Sequence, residues 1–321
     1  MADATPANPD EPKPDAPKPE EPKSLLDKVG AALPIALTAL ATVFASMSNG
    51  ALQEAMYWKS QAAQDQSKST NQWSLAGFKR DRALIMQATA AQLRATCGYA
   101  EPFFLAPSAP EAVKARAWLV ERGDKGGPPP VKLPEIDDAA IKELRDAIEK
   151  REPELELLKK ARKVEMAKIN KAIDDAEKFN EQTDKEWDPV LKAANVLVRA
   201  QLTIKADDPD RAKKVAAATA AQATGFDLEE RRYRAESRLN QGIAFLYEIR
   251  TKVSTAESDK HRKKSDYLSY AMLVAQIGAV ASSLALARKQ KSTLWLFAAM
   301  VGVVAIGVGG YAMVPATMLA F

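Results

Sequence analysis

Histidine and cysteine, the residues most used for nucleophilic and metal chemistry, each occur once in this chain of 321 residues, as His261 and Cys97. A zinc site normally needs three or four His or Cys ligands, and a Ser–His or Cys–His pair would depend on His261 alone. A single cysteine also excludes a disulfide within the chain. We therefore predict no catalytic, cofactor-binding or metal-binding residues and expect that the protein is not an enzyme.

Neighbouring carboxylates are the next candidates for chemistry, because two such groups held in a cleft can act as general acid and base. Nothing in the sequence places these carboxylates in a cleft, and solvated helix surfaces explain them better. The pairs are Asp137 and Asp138, Asp174 and Asp175, and Glu229 and Glu230.

The basic and aromatic residues offer no stronger candidate for a binding site. The basic runs at residues 159–163 and 231–234 lie beside glutamates that cancel much of their field, so nucleic-acid binding is not expected. Trp73 and Trp118 are predicted to be core or seam residues rather than binding anchors. The sequence contains no glycine motif for binding nucleotide phosphates.

The chain has 46% apolar residues overall, but three long stretches contain no charged residue. They cover residues 29–53, 267–287 and 292–321, and each meets the length of about 20 residues that spans a bilayer. We therefore predict an all-α membrane protein with transmembrane helices at residues 29–50, 267–287 and 293–318.

Residues 1–28 hold seven of the nineteen prolines, with four lysines and seven acidic residues. Such a segment cannot bury a core and is predicted to be a disordered tail with polyproline II character. Secretory signals begin with a short, positive region, so the first span is predicted to be a retained anchor. Residues 288–292 are predicted to be a short basic loop.

Small residues recur at alternating steps of four and three in the last two spans, which allows helix backbones to approach closely. An antiparallel hairpin of these spans is predicted. No span carries an ionisable group, which argues against an ion-coupled transporter, although a pore or transport-accessory role stays open. The stripes are Ala271, Ala275, Gly278, Ser282 and Ala285, and Ala298, Gly302, Ala305, Gly309, Ala312 and Ala316.

Residues 51–266 are predicted to be a helical, coiled-coil stalk between the first and second spans. Nine of twelve heptad positions from residue 141 to residue 179 are apolar, and Pro153 is predicted to divide this helix. The a positions are Ile141, Ile148, Leu155, Arg162, Ile169 and Ala176, and the d positions are Leu144, Arg151, Leu158, Glu165, Ala172 and Phe179.

Other helix boundaries follow from proline and glycine. A helix over residues 52–97 is predicted to continue span one, a short helix is predicted at 111–121, and a helix over 228–265 leads into span two without a breaker. Asp188–Pro189 and Asp208–Pro209 are each predicted to start a helix, and Gly225 is predicted to end the second of these.

The segments STNQWSLAGFKRD, at residues 69–81, and HRKKSDYLSYAMLVAQIGAVASSLALARK, at residues 261–289, resemble a bacterial membrane family known as domain of unknown function 4337. The similar positions include Asn71, Trp73, Lys79, residues 276–283 and Trp295. The Pro-rich tail and the longer central region depart from that family. The resemblance implies a bacterial membrane protein and no activity.

The distribution of basic residues favours one orientation. Lysines in the tail and in loop 288–292 place both segments in the cytoplasm under the positive-inside rule, so the stalk is expected on the extracytoplasmic side of the bacterial inner membrane. The basic run at 261–264 opposes this, because it could bind anionic headgroups from the cytoplasm.

From these features we predict a membrane-anchored coiled-coil scaffold, spacer or accessory protein that acts through protein–protein contacts. Its expected partners are membrane lipid, further copies of itself through the coiled-coil helices and another, unidentified protein. The alternative is a pore-forming or transport-accessory membrane protein.

Overall fold

The computed structural model describes residues 25–98, 110–121, 138–202, 209–287 and 293–314. Within these residues the chain forms helices and no strand, which confirms the predicted all-α class. The helices are α1 (Leu25–Cys97), α2 (Pro110–Glu121), α3 (Ala139–Glu149), α4 (Glu154–Ala161), α5 (Met166–Leu202), α6 (Arg211–Ala287) and α7 (Thr293–Met313).

Three of these helices, α1, α6 and α7, contain stretches long and apolar enough to cross a membrane, as predicted. Neither α1 nor α6 ends at the membrane boundaries predicted at residues 50 and 267, so the predicted continuation of both helices out of the spans is confirmed. α1 begins at Leu25, ahead of the predicted start at residue 29. The rest of the predicted tail and loop 288–292 lie outside the described residues.

The chain divides into two compact units. Unit 1 consists of residues 1–53 and 261–321, and unit 2 of residues 54–260. Unit 1 therefore contains the apolar stretches, while unit 2 contains most of the region between the first and second predicted spans.

Small residues of α6 and α7 lie at the centre of unit 1, which confirms that the predicted stripes pack. Gly278 and Gly302 both lie against Leu37 of α1, and Gly309 lies against Phe44. Large side chains of α1 thus fill both stripes, whereas the sequence predicts only that α6 and α7 pack on each other. The buried members are Ala271, Ala275, Gly278, Ser282 and Ala285 on α6 and Ala298, Gly302, Ala305 and Gly309 on α7.

Gly309→Ala is expected to lower the stability of unit 1 by about 1 to 3 kcal/mol, because an added Cβ would overlap the Phe44 ring and force it to move. Gly310→Ala is the matched control, since no atom lies within 4 Å of a Cβ built there. Thermal unfolding of the full chain in detergent would measure both variants. Equal stability of the two variants would contradict this packing.

A polar contact lies near the end of the α1 span. The Ser48 hydroxyl lies 3.0 Å from the Ser265 carbonyl oxygen, and the Ser265 hydroxyl lies 3.0 Å from the Ser48 carbonyl oxygen. Ser48 Oγ also lies 2.8 Å from Ser269 Oγ. Small hydroxyl side chains that bond across helices let the two backbones come close, so this pair joins α1 to α6.

In unit 2, α1 lies antiparallel to α6 along a row of small residues. Ser69 Oγ donates to the Ala244 carbonyl at 3.1 Å, while Ser237 Oγ donates to the Ala76 carbonyl at 2.8 Å. The buried row on α1 has a seven-residue spacing, which keeps it on one face of a slightly underwound helix. Its members are Ala55, Ala62, Ser69, Ala76, Ala83 and Ala90.

The large apolar residues that mark α1 in the sequence are not its buried face. Leu75, Phe78, Leu84 and Ile85 are all exposed. The buried face is marked instead by the seven-residue spacing of alanine and serine. Small residues face α6 since they allow the close backbone approach that the serine bonds require.

Larger side chains at two adjacent positions of α1 are expected to change the stability of unit 2 in opposite directions. Ala76→Leu should lower the stability of unit 2 by about 1 to 3 kcal/mol, because the seam beside Ser237 has no room for a larger side chain. Gly77→Ala should raise it by about 0.5 to 1 kcal/mol through helix propensity, since nothing lies within 4 Å of an added Cβ. Circular dichroism melting would test both, and a loss of stability in the Gly77 variant would contradict the assignment.

The other face of α6 packs against α3, α4 and α5 in a core that includes Ile243, Ile249 and Val253. The predicted heptad is confirmed where Ile141 and Ile169 are buried. It is wrong in α4, where the predicted seam residue Leu155 is 65% exposed and Leu157 is buried instead.

Two breaks explain why one heptad register fails. α3 ends at Glu149 and α4 begins at Glu154, which confirms the predicted division at Pro153. Arg151 in this break adopts a φ of 55°, in the left-handed region that few non-glycine residues occupy. A second break, between Ala161 and Met166, was not predicted. Each break shifts the buried face, so spacing cannot be carried across it.

Two predicted boundaries are wrong, because α5 continues through Pro189 and α6 continues through Gly225. Around Pro189, Trp187 and Val190 are buried in a cluster with α2 and Leu228 of α6. Packing on both sides of the proline holds one helix despite a local cost of about 3 kcal/mol. Gly225 faces Val198 of α5, whose Cγ2 would lie 3.5 Å from an added Cβ. Asp208 lies outside the described residues.

Candidate functional site

A largely buried ion pair joins α1 to α6 in unit 2. The Arg250 guanidinium donates from Nε to Asp65 Oδ2 at 2.9 Å and from Nη2 to Asp65 Oδ1 at 2.5 Å, and the Asp65 side chain is 0% exposed. Arg250 Nη1 also donates to Asn170 Oδ1 of α5 at 3.1 Å. One guanidinium therefore connects three helices.

Tyr247 lies beside this pair and extends the contact to α5. Its hydroxyl donates to Glu177 Oε1 at 2.8 Å, and Arg250 stacks on its ring with 4.9 Å between guanidinium carbon and ring centroid. Burial, helped by the hydrogen bond and the negative charge of Glu177, raises the pKa of Tyr247 to about 12. The phenol is therefore protonated at neutral pH and serves as a donor.

A second charged group lies about three turns before Tyr247 on α6. Glu236 is nearly buried and accepts from Lys79 of α1 at 2.7 Å and from Arg232 of its own helix. Arg232 also approaches Asp184 of α5 at 3.7 Å. Partial burial and the nearby charge of Glu236 raise the pKa of Asp184, against the opposing effect of Arg232 and Lys79.

Trp73 lies between these two groups. Its Nε1 donates to Glu248 Oε1 at 2.8 Å, and its ring packs edge-on against Phe245, with 5.5 Å between centroids. Trp73 and Lys79, two residues that carry the family resemblance, thus both contact α6. We name Asp65, Arg250, Tyr247, Glu236, Lys79, Trp73 and Glu248 the interhelix polar group.

The interhelix polar group is arranged to hold helices together. Each charged side chain in it contacts an opposite charge or a hydrogen-bond partner on a different helix. Such contacts specify which residues lie opposite each other, because any slip of one helix leaves a buried charge unpaired. Local spacing does not reveal this group, because Trp73 and Glu248 lie 175 residues apart and Asp65 and Arg250 lie 185 residues apart.

Among the described residues, the carboxylates considered as acid–base pairs include one that caps a helix, one that forms an ion pair within its own helix and two that face solvent. Asp138 caps α3 by accepting from the backbone N–H groups of Ala140 and Ile141. Lys168 also binds this carboxylate, and the two kinds of contact together lower the pKa of Asp138. Glu230 pairs with Arg234 on its own helix. Asp174 and Asp175 are exposed, and Asp137 lies outside the described residues.

The basic runs are paired with glutamates, in line with the expected cancellation of their field. Lys159 contacts Glu156 at 2.8 Å, and Lys160 contacts Glu152 at 2.6 Å. In the second run Arg234 pairs with Glu230. The absence of nucleic-acid binding stays a prediction.

The single cysteine and histidine lie far apart in the chain. Cys97 is the last residue of α1, a free thiol whose Sγ lies 3.6 Å from the Arg94 carbonyl oxygen. His261 is half-buried on α6. Trp118 packs in the cluster formed by α2 and α5. Among the side chains that the structure describes, no group of three His, Cys, Asp or Glu residues is placed to hold a metal ion.

Comparisons of the chain with protein families, curated proteins and solved structures found no match. The family resemblance therefore stays a prediction.

Proposed function

We propose that this chain is a membrane-anchored helical scaffold or spacer that acts through protein–protein contacts and catalyses no reaction. Three candidate spans support anchoring. The interhelix polar group supports a rigid body outside the spans, because its charges are used to fix α1 and α5 on α6. Unit 2 is proposed to be a coiled-coil stalk built on the antiparallel α1–α6 pair.

The observation that carries the proposal is the outward face of α1 in unit 2. Leu75, Phe78 and Ile85 lie three and seven residues apart, so they share one helix face, and Phe78 and Ile85 are 62% and 61% exposed. This face is opposite the row of small residues that contacts α6. Exposed apolar residues clustered on one helix face are typical of a protein contact.

A second copy of the chain is the proposed occupant of this face. In the apolar seam that predicted self-association, Ile141 and Ile169 are buried within one copy. Association must therefore use a surface that one copy leaves open. Anchoring in a common membrane raises the effective concentration of identical chains, and Asp81 and Arg80 beside the face offer charges of both signs.

Disulfide trapping in native membranes tests this contact. In a Cys97→Ser background, Asn71→Cys places a reporter thiol on the face, and oxidation should give a species of twice the chain mass. Adding Phe78→Glu should remove that species, while Leu155→Glu, an exposed residue of α4 that does not belong to this face, should leave it. Monomer alone before any glutamate is added would overturn the proposed self-association.

The proposed location is the bacterial inner membrane, with the N-terminus in the cytoplasm and the stalk outside. The basic loop 288–292 and the lysines of the tail support this orientation under the positive-inside rule. Membrane lipid is the proposed partner of the basic run at 261–264, which in this orientation would face the extracytoplasmic leaflet. Anionic headgroups there would neutralise Arg262, Lys263 and Lys264.

Labelling of Cys97, the only thiol, tests the orientation. A membrane-impermeant maleimide should label it in intact cells if the stalk is outside. Detergent-solubilised protein is the accessibility control, since Cys97 is half-buried. Labelling only after permeabilisation would reverse the orientation.

A further inference from the structure

Gln276 is a strongly polar residue in the middle of the second span. It is the tenth of the 21 uncharged residues at 267–287, it is exposed, and it has no hydrogen-bond partner among the described residues. An exposed amide at this depth requires an explanation, because no water is present there to bond it.

The surroundings of Gln276 show that it points away from the helices of unit 1. Leu273, Ile277 and Val280, its neighbours on the same side of α6, are 50%, 56% and 62% exposed. Ala271 and Ala275, on the other side of α6, are fully buried. The amide therefore lies within an apolar outer surface.

Two hydroxyl groups on the outer surface of unit 1 are satisfied by their own helix. Thr42 Oγ1 donates to the Thr38 carbonyl at 3.0 Å, and Ser283 Oγ donates to the Ala279 carbonyl at 2.8 Å. Ser283, seven residues after Gln276 on the same face, makes the contrast direct. Gln276 has no such bond, so its two donors and its carbonyl oxygen are free for another chain.

The chemistry of an amide makes its own copy a suitable partner. A side-chain amide both donates and accepts, so two glutamines related by a twofold axis satisfy each other with a reciprocal pair of hydrogen bonds. Interhelical bonds of this kind join membrane helices. The apolar residues around Gln276 supply the packing that such a pair needs.

We propose that Gln276 and its apolar neighbours Leu273, Ile277 and Val280 bind the same surface of a second copy within the membrane. The proposal rests on the self-association proposed above and gives it a second contact, in unit 1. It also assigns the specificity of that contact to the amide pair, because apolar side chains in lipid do not distinguish a protein surface from lipid chains.

Disulfide trapping of the full chain in native membranes tests this surface. In the Cys97→Ser background, Leu273→Cys should form a dimer on oxidation with copper phenanthroline, while Val303→Cys, an exposed position on α7, should not. Adding Gln276→Leu should reduce the crosslinked fraction about fivefold, as expected for the loss of an interhelical hydrogen bond. Adding Gln276→Asn, which keeps the amide, should retain most of it.

The outcomes separate this proposal from the proposed function. If the Asn71→Cys reporter crosslinks and Leu273→Cys does not, the surface at Gln276 is wrong and the scaffold stands. Equal crosslinking with glutamine and with leucine at residue 276 would also overturn the role of the amide. If neither reporter crosslinks, self-association itself fails. A crosslinked species of another mass would identify a different protein as the occupant and overturn the amide pair.

Discussion

Replacing Asp65 with asparagine is expected to lower the free energy of unfolding by about 3 to 5 kcal/mol, because the change leaves the guanidinium of Arg250 largely buried without its counter-charge. Urea unfolding of the full chain in detergent, followed by circular dichroism, would measure this loss. Arg250→Met should have an effect of similar size, since it leaves the Asp65 carboxylate unpaired at 0% exposure.

Removing both charges separates the ion pair from the packing around it. Asp65→Leu combined with Arg250→Met should be much less destabilising than either charge-removing single variant, because a buried pair gives little net stability over apolar residues. Glu149→Gln is the exposed control, since its partner Arg145 lies on the same helix surface, and it should cost about 0.5 kcal/mol or less. A double variant as unstable as the sum of the singles would contradict the assignment.

Leu157→Ala is expected to cost about 2 to 5 kcal/mol, whereas Leu155→Ala, two residues earlier on the same helix, should stay within about 0.5 kcal/mol of the parent. Leu157 is 6% exposed and packs in the core between α4 and α6, while Leu155 is 65% exposed. Chemical unfolding of the two variants side by side gives the comparison, because both changes remove the same atoms.

The heptad numbering places Leu155 in the seam and therefore predicts the larger loss of stability for Leu155→Ala. The measurement thus decides between that register and the one in which Leu157 is buried. A larger loss at Leu155 would show that the α3–α5 region is one continuous seam. Such a result would also contradict the two breaks, at residues 150–153 and 162–165, that change the buried face.

Periodicity correctly predicted that this region is helical, but it predicted the wrong buried face for α4. Pro153 was recognisable as a breaker because its effect is local. The break between Ala161 and Met166 has no proline or glycine to mark it. It depends on how α4 and α5 each pack on α6, so local spacing did not reveal it.

The difference between local signals and tertiary packing also explains the two wrong helix boundaries and the alanine and serine row of α1 that was not predicted. Pro189 and Gly225 are strong local signals, yet packing of Trp187 and Val190 on neighbouring helices outweighs the first of them. The seven-residue spacing of alanine and serine along α1 was readable in the sequence. It becomes meaningful only beside α6, because small side chains gain their effect from the helix that approaches them.

The sequence by itself determined the class of this protein. The sequence contains charge-free stretches long enough to span a bilayer, and no proline interrupts the helix that leads into span two. It also contains one histidine and one cysteine. These are properties of composition and short-range order. Their physical consequences require no knowledge of which segments meet, and the three candidate spans and the all-helical fold follow from them.

Only the tertiary structure decided which residues meet. It paired Asp65 with Arg250 across 185 residues, placed Phe44 against Gly309 and left Gln276 on the outer surface of its span. These contacts depend on which helices pack together and in which register. Residues far apart in the sequence contribute as much to the energy of that packing as neighbouring residues do. The residues proposed to bind other copies are therefore those that this pairing leaves exposed.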